Sequence, residues 1–220
     1  MLYEKYRPST LHEVLGQPGA VAAVQSILGR GGFGGKAVWL SGATGTGKTT
    51  LARIIAGTLA DPWAVVEYDS ADLLTMDELR GIHEAMPLAG MGKGGRVWII
   101  NEAHGMRAPI IRALLGLLER IPRHCAFIFT TTRAGEDGLF EDQIDAAPLL
   151  ARCLRVRLTN QGLAEPFAVR ALEIARAEGL DGGADLPAVV RLVKRCKNSM
   201  RAVLSELESG TLLAAPALAA

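Results

Sequence analysis

Eight consecutive residues, Gly42-Ala43-Thr44-Gly45-Thr46-Gly47-Lys48-Thr49, have the types and spacing to hold a chain of phosphates. This is a P-loop pattern. Its glycines let backbone N–H groups wrap phosphate oxygens, and a helix opening at Lys48 points its positive end at them. The Lys48 ammonium is placed to hold the β- and γ-phosphates. The Thr49 hydroxyl is placed to join the oxygen shell of Mg²⁺, which takes few protein oxygens and keeps several waters. Thr50 follows and is counted with the contacting set, although no step of the chemistry falls to it.

A second constellation is Val97-Trp98-Ile99-Ile100-Asn101-Glu102, an apolar strand ending where a Walker B element carries two acids. Here the first acid is Asn101, which can hydrogen-bond a metal-bound water but brings no charge, so Mg²⁺ is expected to be held less tightly than by aspartate. Glu102 stands where a carboxylate orients and deprotonates an attacking water. Slow hydrolysis is the expectation, against the alternative of ATP bound only as a structural ligand. Nearby His104 reads as a solvated or capping histidine.

The elements that must position these residues follow from periodicity. Ala20 to Leu28 has helical spacing and is stopped by the glycines between Gly29 and Gly35. Ala37 to Ser41, Ala64 to Tyr68, Arg96 to Ile100, Cys125 to Thr130 and Leu154 to Leu158 read as strands. Between them lie helices from Lys48 to Leu59, from a Thr75-to-Glu78 capping box towards Met86, and from Pro109 to about Arg120. Strand and helix alternate, so the fold class is α/β: a parallel five-stranded sheet flanked by helices, with ligands at the carboxyl ends of its strands. Only helical patterns follow Ala164, over Pro166 to Glu178, Leu186 to Lys197 and Met200 to Leu207. The predicted division is a nucleotide-binding domain over 1–159, a three-helix lid over 160–209 and a frayed, uncharged tail over 210–220.

Composition narrows the classes. In 220 residues that are 49% hydrophobic there is room for one good core and a small second one. The net charge of +1 provides no global field towards nucleic acid or membrane. Cys125, Cys153 and Cys196 have no paired metal-ligand spacing, and no uncharged apolar run is long enough to span a bilayer. A cytoplasmic protein with no membrane partner and no structural zinc is expected.

With these motifs in place, the chain resembles the AAA+ ATPase subunits of sliding-clamp loaders, in replication factor C and in bacterial DNA polymerase III, along nearly its whole length. Composition alone leaves the first sixteen residues a surface strip. However, Tyr3-Glu4-Lys5-Tyr6-Arg7-Pro8, then Leu11 and Val14-Leu15-Gly16-Gln17, is similar to the family's amino-terminal signature. That resemblance places Tyr3, Arg7, Pro8, Val14, Leu15 and Gln17 around the adenine and ribose. Glu67-Tyr68-Asp69-Ser70-Ala71-Asp72 is similar to the segment after the family's second strand. Thr130-Thr131-Thr132 resembles sensor 1, with Thr132 chosen as the side chain near the γ-phosphate. Leu150-Ala151-Arg152-Cys153 resembles the Ser-Arg-Cys motif, with alanine for serine; Arg152 would act in trans on a neighbouring subunit's site. Asn198-Ser199-Met200-Arg201 resembles sensor 2, in which Arg201 would report the γ-phosphate to the lid.

The resemblance implies ATP and Mg²⁺ as ligands. It implies other AAA+ subunits in a spiral of pentamer type, a sliding clamp and primer-template DNA as partners, and helix starts near Arg80 and Arg107 as DNA contacts. The family's helical collar and its cysteine-rich zinc insertion have no counterpart here, and Gly135 to Pro148 is longer than usual. Two other functions fit the same motifs: a non-catalytic nucleotide switch or scaffold, and another DNA-remodelling AAA+ ATPase of branch-migration or helicase-loading type.

Overall fold

The computed structural model describes residues 1–132 and 146–213. In chain order the elements are α1 (Leu2–Lys5), α2 (Pro18–Gly29), β1 (Lys36–Ser41), α3 (Lys48–Leu59), β2 (Val65–Tyr68), α4 (Met76–Ala85), β3 (Arg96–Ile100) and α5 (Ala108–Leu118). After them come β4 (Cys125–Thr131), α6 (Ala146–Ala151), β5 (Cys153–Arg157), α7 (Ala164–Ala177), α8 (Leu186–Arg195) and α9 (Met200–Glu208). Most of Gly135 to Pro148 and residues 214–220 lie outside the described residues.

The chain divides into two compact units, the larger formed by Gly19–Ala43 and Lys48–Leu158. Its parallel sheet has strand order β2-β3-β4-β1-β5. Strands buried on both faces read as continuous apolar runs, and Val97 to Ile100 and Cys125 to Thr131 are buried throughout. One face carries a file of rings: Trp98 stacks on Phe127 at 5.1 Å, and Trp39 meets Phe129 at 5.7 Å. Register fixes what lines the carboxyl edge. Tyr68 pairs with Ile100, Ile100 with Phe129, and Ser41 with Thr131, so Glu67, Asn101 and Thr130 each lie within one residue of the carboxyl end of neighbouring strands. At the start of α4 only half of the expected capping box forms: the Thr75 hydroxyl accepts from the Glu78 N–H at 3.2 Å, while the Glu78 carboxylate accepts from the Tyr68 hydroxyl at 2.8 Å.

The smaller unit comprises Met1–Pro18, Thr44–Gly47 and Thr159–Ala220. Its core is Phe167, Leu172, Val189, Leu192, Val203 and Leu207 from α7, α8 and α9, with Leu2 from α1 buried among them. This corrects two expectations. Residues 1–18 group with the lid helices and not with the rest of 1–159. Leu2 buries its side chain with the lid helices and donates its N–H to Glu208 at 2.9 Å, and Lys5 pairs with Glu178 at 2.6 Å. The expected tail over 210–220 is also not frayed at its beginning, because Leu212 is buried and its carbonyl lies where a Cβ on Gly182 would stand.

Candidate active site

The P-loop runs from the end of β1 into α3. Gly45 and Gly47 have φ of 80° and 100°, a left-handed region that side chains disfavour and glycine enters freely. In the larger unit Lys48 is buried at 6% exposure, and its ammonium donates to the carbonyls of Gly42 at 2.8 Å and Ala43 at 2.9 Å. The loop thus curls back over its own cation instead of leaving it in solvent.

At the end of β3, Asn101 is the centre of a polar network. Its Oδ1 accepts from the Thr49 hydroxyl at 3.2 Å and the Thr130 hydroxyl at 2.9 Å. Its Nδ2 donates to Glu67 Oε1 at 2.9 Å and to the Tyr68 carbonyl at 3.2 Å. Thr49 and Asn101, the two residues expected at the metal, are hydrogen-bonded to each other. Thr130 and Glu67 are additions that sequence reasoning did not assign. Thr130 lies within the Thr130-Thr131-Thr132 run already singled out, whereas Glu67 carries no signal until strand pairing sets β2 beside β3.

Glu102 is half-buried and has φ 50° and ψ 44°, left-handed for a residue with a side chain. Its carboxylate accepts from the Thr132 hydroxyl at 3.0 Å. Thr132, the residue chosen at the sensor position, thus meets the proposed base. His104, expected to be solvated or capping, is half-buried: its Nδ1 lies 3.2 Å from the Thr131 hydroxyl and 3.5 Å from Glu102, because a 3-10 turn over Ala103–Gly105 folds it back to the sheet edge.

The donor set fits a magnesium nucleotide. It offers an ammonium, hydroxyl and amide oxygens and the carboxylates of Glu67 and Glu102 at one sheet edge, and no group of His, Cys, Asp and Glu arranged to hold a metal by itself occurs among the described residues. A family model described as "AAA domain (dynein-related subfamily)" matches residues 37–172. The chain belongs to the AAA domain family.

Several relatives of this AAA domain are named as subunits of DNA polymerase III or of replication factor C. The DNA polymerase III subunit tau of Bacillus subtilis is 30% identical over 190 residues, covering 74% of this chain and 32% of that protein. The DNA polymerase III subunit gamma/tau of Mycobacterium tuberculosis is 34% identical over 155 residues, covering 60% and 27%. The replication factor C large subunit of Methanocella arvoryzae is 28% identical over 173 residues, covering 73% and 31%. The chain thus spans about a third of the length of these relatives. Among solved structures, a RuvB variant of Thermotoga maritima aligns with TM-score 0.57 at 24% identity, covering 93% of this chain and 72% of that one. A gamma subunit-related protein of the same organism aligns with TM-score 0.58 at 15% identity, covering 84% and 57%.

The remaining expected residues are described within the unit to which each belongs. In the smaller unit Tyr3, Arg7, Pro8, Val14 and Leu15 are half-buried, Arg7 pairs with Glu4, and the Arg201 guanidinium sits 5.5 Å over the Tyr3 ring. Gln17 is buried with its amide committed to backbone. It donates to the Thr159 carbonyl at 2.8 Å and the Thr46 carbonyl at 3.4 Å, and accepts from the Thr159 N–H at 2.8 Å. Gln17 thus ties the backbone at Thr46 to that at Thr159. In the larger unit Arg152 is exposed and pairs with Glu119 at 2.6 Å. Arg80 pairs with Asp77 at 2.7 Å, an exposed contact of small energetic weight, and Arg107 is exposed at the start of α5. Burial pushes the thiols of Cys125 and Cys153 up, to about 11 and about 12. No helix among the described residues is long and apolar enough to cross a membrane.

Proposed function

We propose that this AAA domain binds ATP with Mg²⁺ and hydrolyses it slowly, as a subunit of a cytoplasmic sliding-clamp loader that acts on primer-template DNA with other AAA+ subunits. One observation carries the ATPase reading: Glu102 is held by Thr132 at the same strand end at which Asn101 joins the P-loop Thr49 to Thr130. In this reading Gly42 to Gly47 and Lys48 bind the phosphates, and Thr49 and Asn101, the latter through water, hold the metal. Mg²⁺ held there would neutralise charge on the phosphates. Glu102 takes a proton from the attacking water as its oxygen bonds to the γ-phosphorus and the bond to ADP breaks. Arg152, once it leaves Glu119, stabilises the γ-phosphate charge in a neighbouring subunit, and Arg201 and Thr132 sense that phosphate. The replication role is supported by the names of the relatives, and the DNA contacts of Arg80 and Arg107 rest on resemblance alone.

ATP turnover of the purified protein, alone and then with primed DNA and the host's clamp and replication partners, tests the reading. Turnover is expected to rise on assembly, and Arg152→Ala is expected to reduce the assembled rate about 10³-fold or more while leaving basal nucleotide binding intact. Tight binding without turnover in every condition would instead establish a nucleotide switch. A closed hexamer remodelling branched DNA would establish the third function.

A further inference from the structure

Asn101 is more than an aspartate short of a charge. Its Nδ2 faces Glu67 Oε1 at 2.9 Å and the Tyr68 carbonyl at 3.2 Å, both of which accept hydrogen bonds and do not donate. The amide nitrogen must therefore point to β2, which leaves Oδ1 facing the hydroxyls of Thr49 and Thr130. An aspartate in this position would set a carboxylate oxygen against the Glu67 carboxylate with no proton between them, a like-charge contact. Glu67 is itself fixed: its side chain is 18% exposed, and its Oε2 accepts from Arg53 Nε at 2.7 Å.

We propose that Glu67 is a positioning residue for the Mg²⁺ site, holding the Asn101 amide oxygen on the Thr49 side and polarising it, so that Asn101 and Glu67 together take the place of one aspartate. The negative charge usual at the end of β3 has moved one strand over. It acts through an amide whose acceptor end is oriented by a carboxylate, and hydrogen bonds in such a chain strengthen one another. Partners that orient a metal ligand are typically worth 10- to 100-fold in metal affinity. The inference rests on the ATP and Mg²⁺ reading above.

The test is the affinity for a fluorescent ATP analogue measured with excess Mg²⁺ and again with EDTA, whose ratio isolates the contribution of the metal. Glu67→Ala is expected to lower that ratio about 10-fold while the affinity in EDTA stays at the wild-type value, which a merely structural role for Glu67 would not produce. Glu67→Gln keeps the size and can still accept from Asn101, so it serves where the alanine variant folds poorly and is expected to move the ratio the same way. Asn101→Asp alone is expected to lower Tm without raising the ratio, and Asn101→Asp with Glu67→Gln to recover both. A ratio that stays within about twofold of wild type in both Glu67 variants overturns the inference. So does a ratio that rises in Asn101→Asp alone with Tm unchanged. Absence of binding by the wild-type protein in both buffers overturns the ATP reading and this inference with it.

Discussion

The end of β3 and the turn between α8 and α9 share a backbone device. Among the described residues, the non-glycine positions with positive φ are Glu102 at the first, and Lys197 and Asn198 at the second. Before α9 the device is structural. Lys197 donates its N–H to the Lys194 carbonyl and Asn198 to the Val193 carbonyl, each at 3.0 Å, which closes α8 and turns the chain. Asparagine tolerates this conformation, and the Asn198 side chain donates to the Asn160 carbonyl at 3.1 Å. Glutamate has no such tolerance. At Glu102 the left-handed backbone aims a carboxylate at Thr132, so the conformational cost falls at the residue proposed to do the chemistry. One turn is left-handed for the sake of the fold, the other for the sake of a side chain.

The largest effect should come from Glu102→Gln, which keeps the size and backbone and removes the base. Turnover should fall about 10²- to 10⁴-fold with Tm unchanged, and an unaltered rate would break the comparison at its functional side. Next is Asn198→Val, which puts a β-branched residue into the left-handed region at a cost of about 1–2 kcal/mol. Thermal denaturation should show Tm lower by about 2–8 °C. Glu102→Gly sharpens the contrast: turnover is lost as in the glutamine variant, yet Tm should hold or rise by up to about 2 °C, because relief of strain offsets the entropy of glycine. A clear fall in Tm would mean that Glu102 is at ease in its turn.

The smallest effect concerns the contacts that tie α1 to α7. Hydrogen bonds from Lys5 and then Tyr6 hold the Glu178 carboxyl below its ordinary value. A depressed folded-state value contributes stability above the unfolded value, and that contribution is lost as pH falls through the folded one. Tm of the wild type should therefore drop more steeply below about pH 4 than Tm of Glu178→Gln, and matching curves would remove this tether from the account.

Much of the larger unit was legible in the sequence because its signals are local. Arg96 to Ile100 is a strand by its apolar run alone, Lys48 to Leu59 a helix that follows a glycine loop, and Asn101 and Glu102 are fixed at the edge by where β3 stops. The sites that escaped depend on partners far away in the chain. Nothing near Leu2, Lys5 or Tyr6 announces Glu178 and Glu208. Glu67 sits in a segment noted only for its likeness to relatives, and its role appears once register puts β2 beside β3. Thr132 was chosen over Thr130 on resemblance, and the structure gives each a different partner, Glu102 and Asn101 respectively.

The pairing pattern of β1 also sets an order of assembly. Lys36 meets Ala126 and Ala37 meets Cys153, so the central strand is flanked on both sides only by segments made much later. Contacts of such long range are slow to form and leave strand edges open while the chain lengthens. The first residues wait longer still, since Leu2 finds its seat only after Glu208 has emerged. A nascent chain carrying a complete P-loop therefore has no finished sheet until translation has passed β5, and no place for its own amino-terminal helix until it has passed α9.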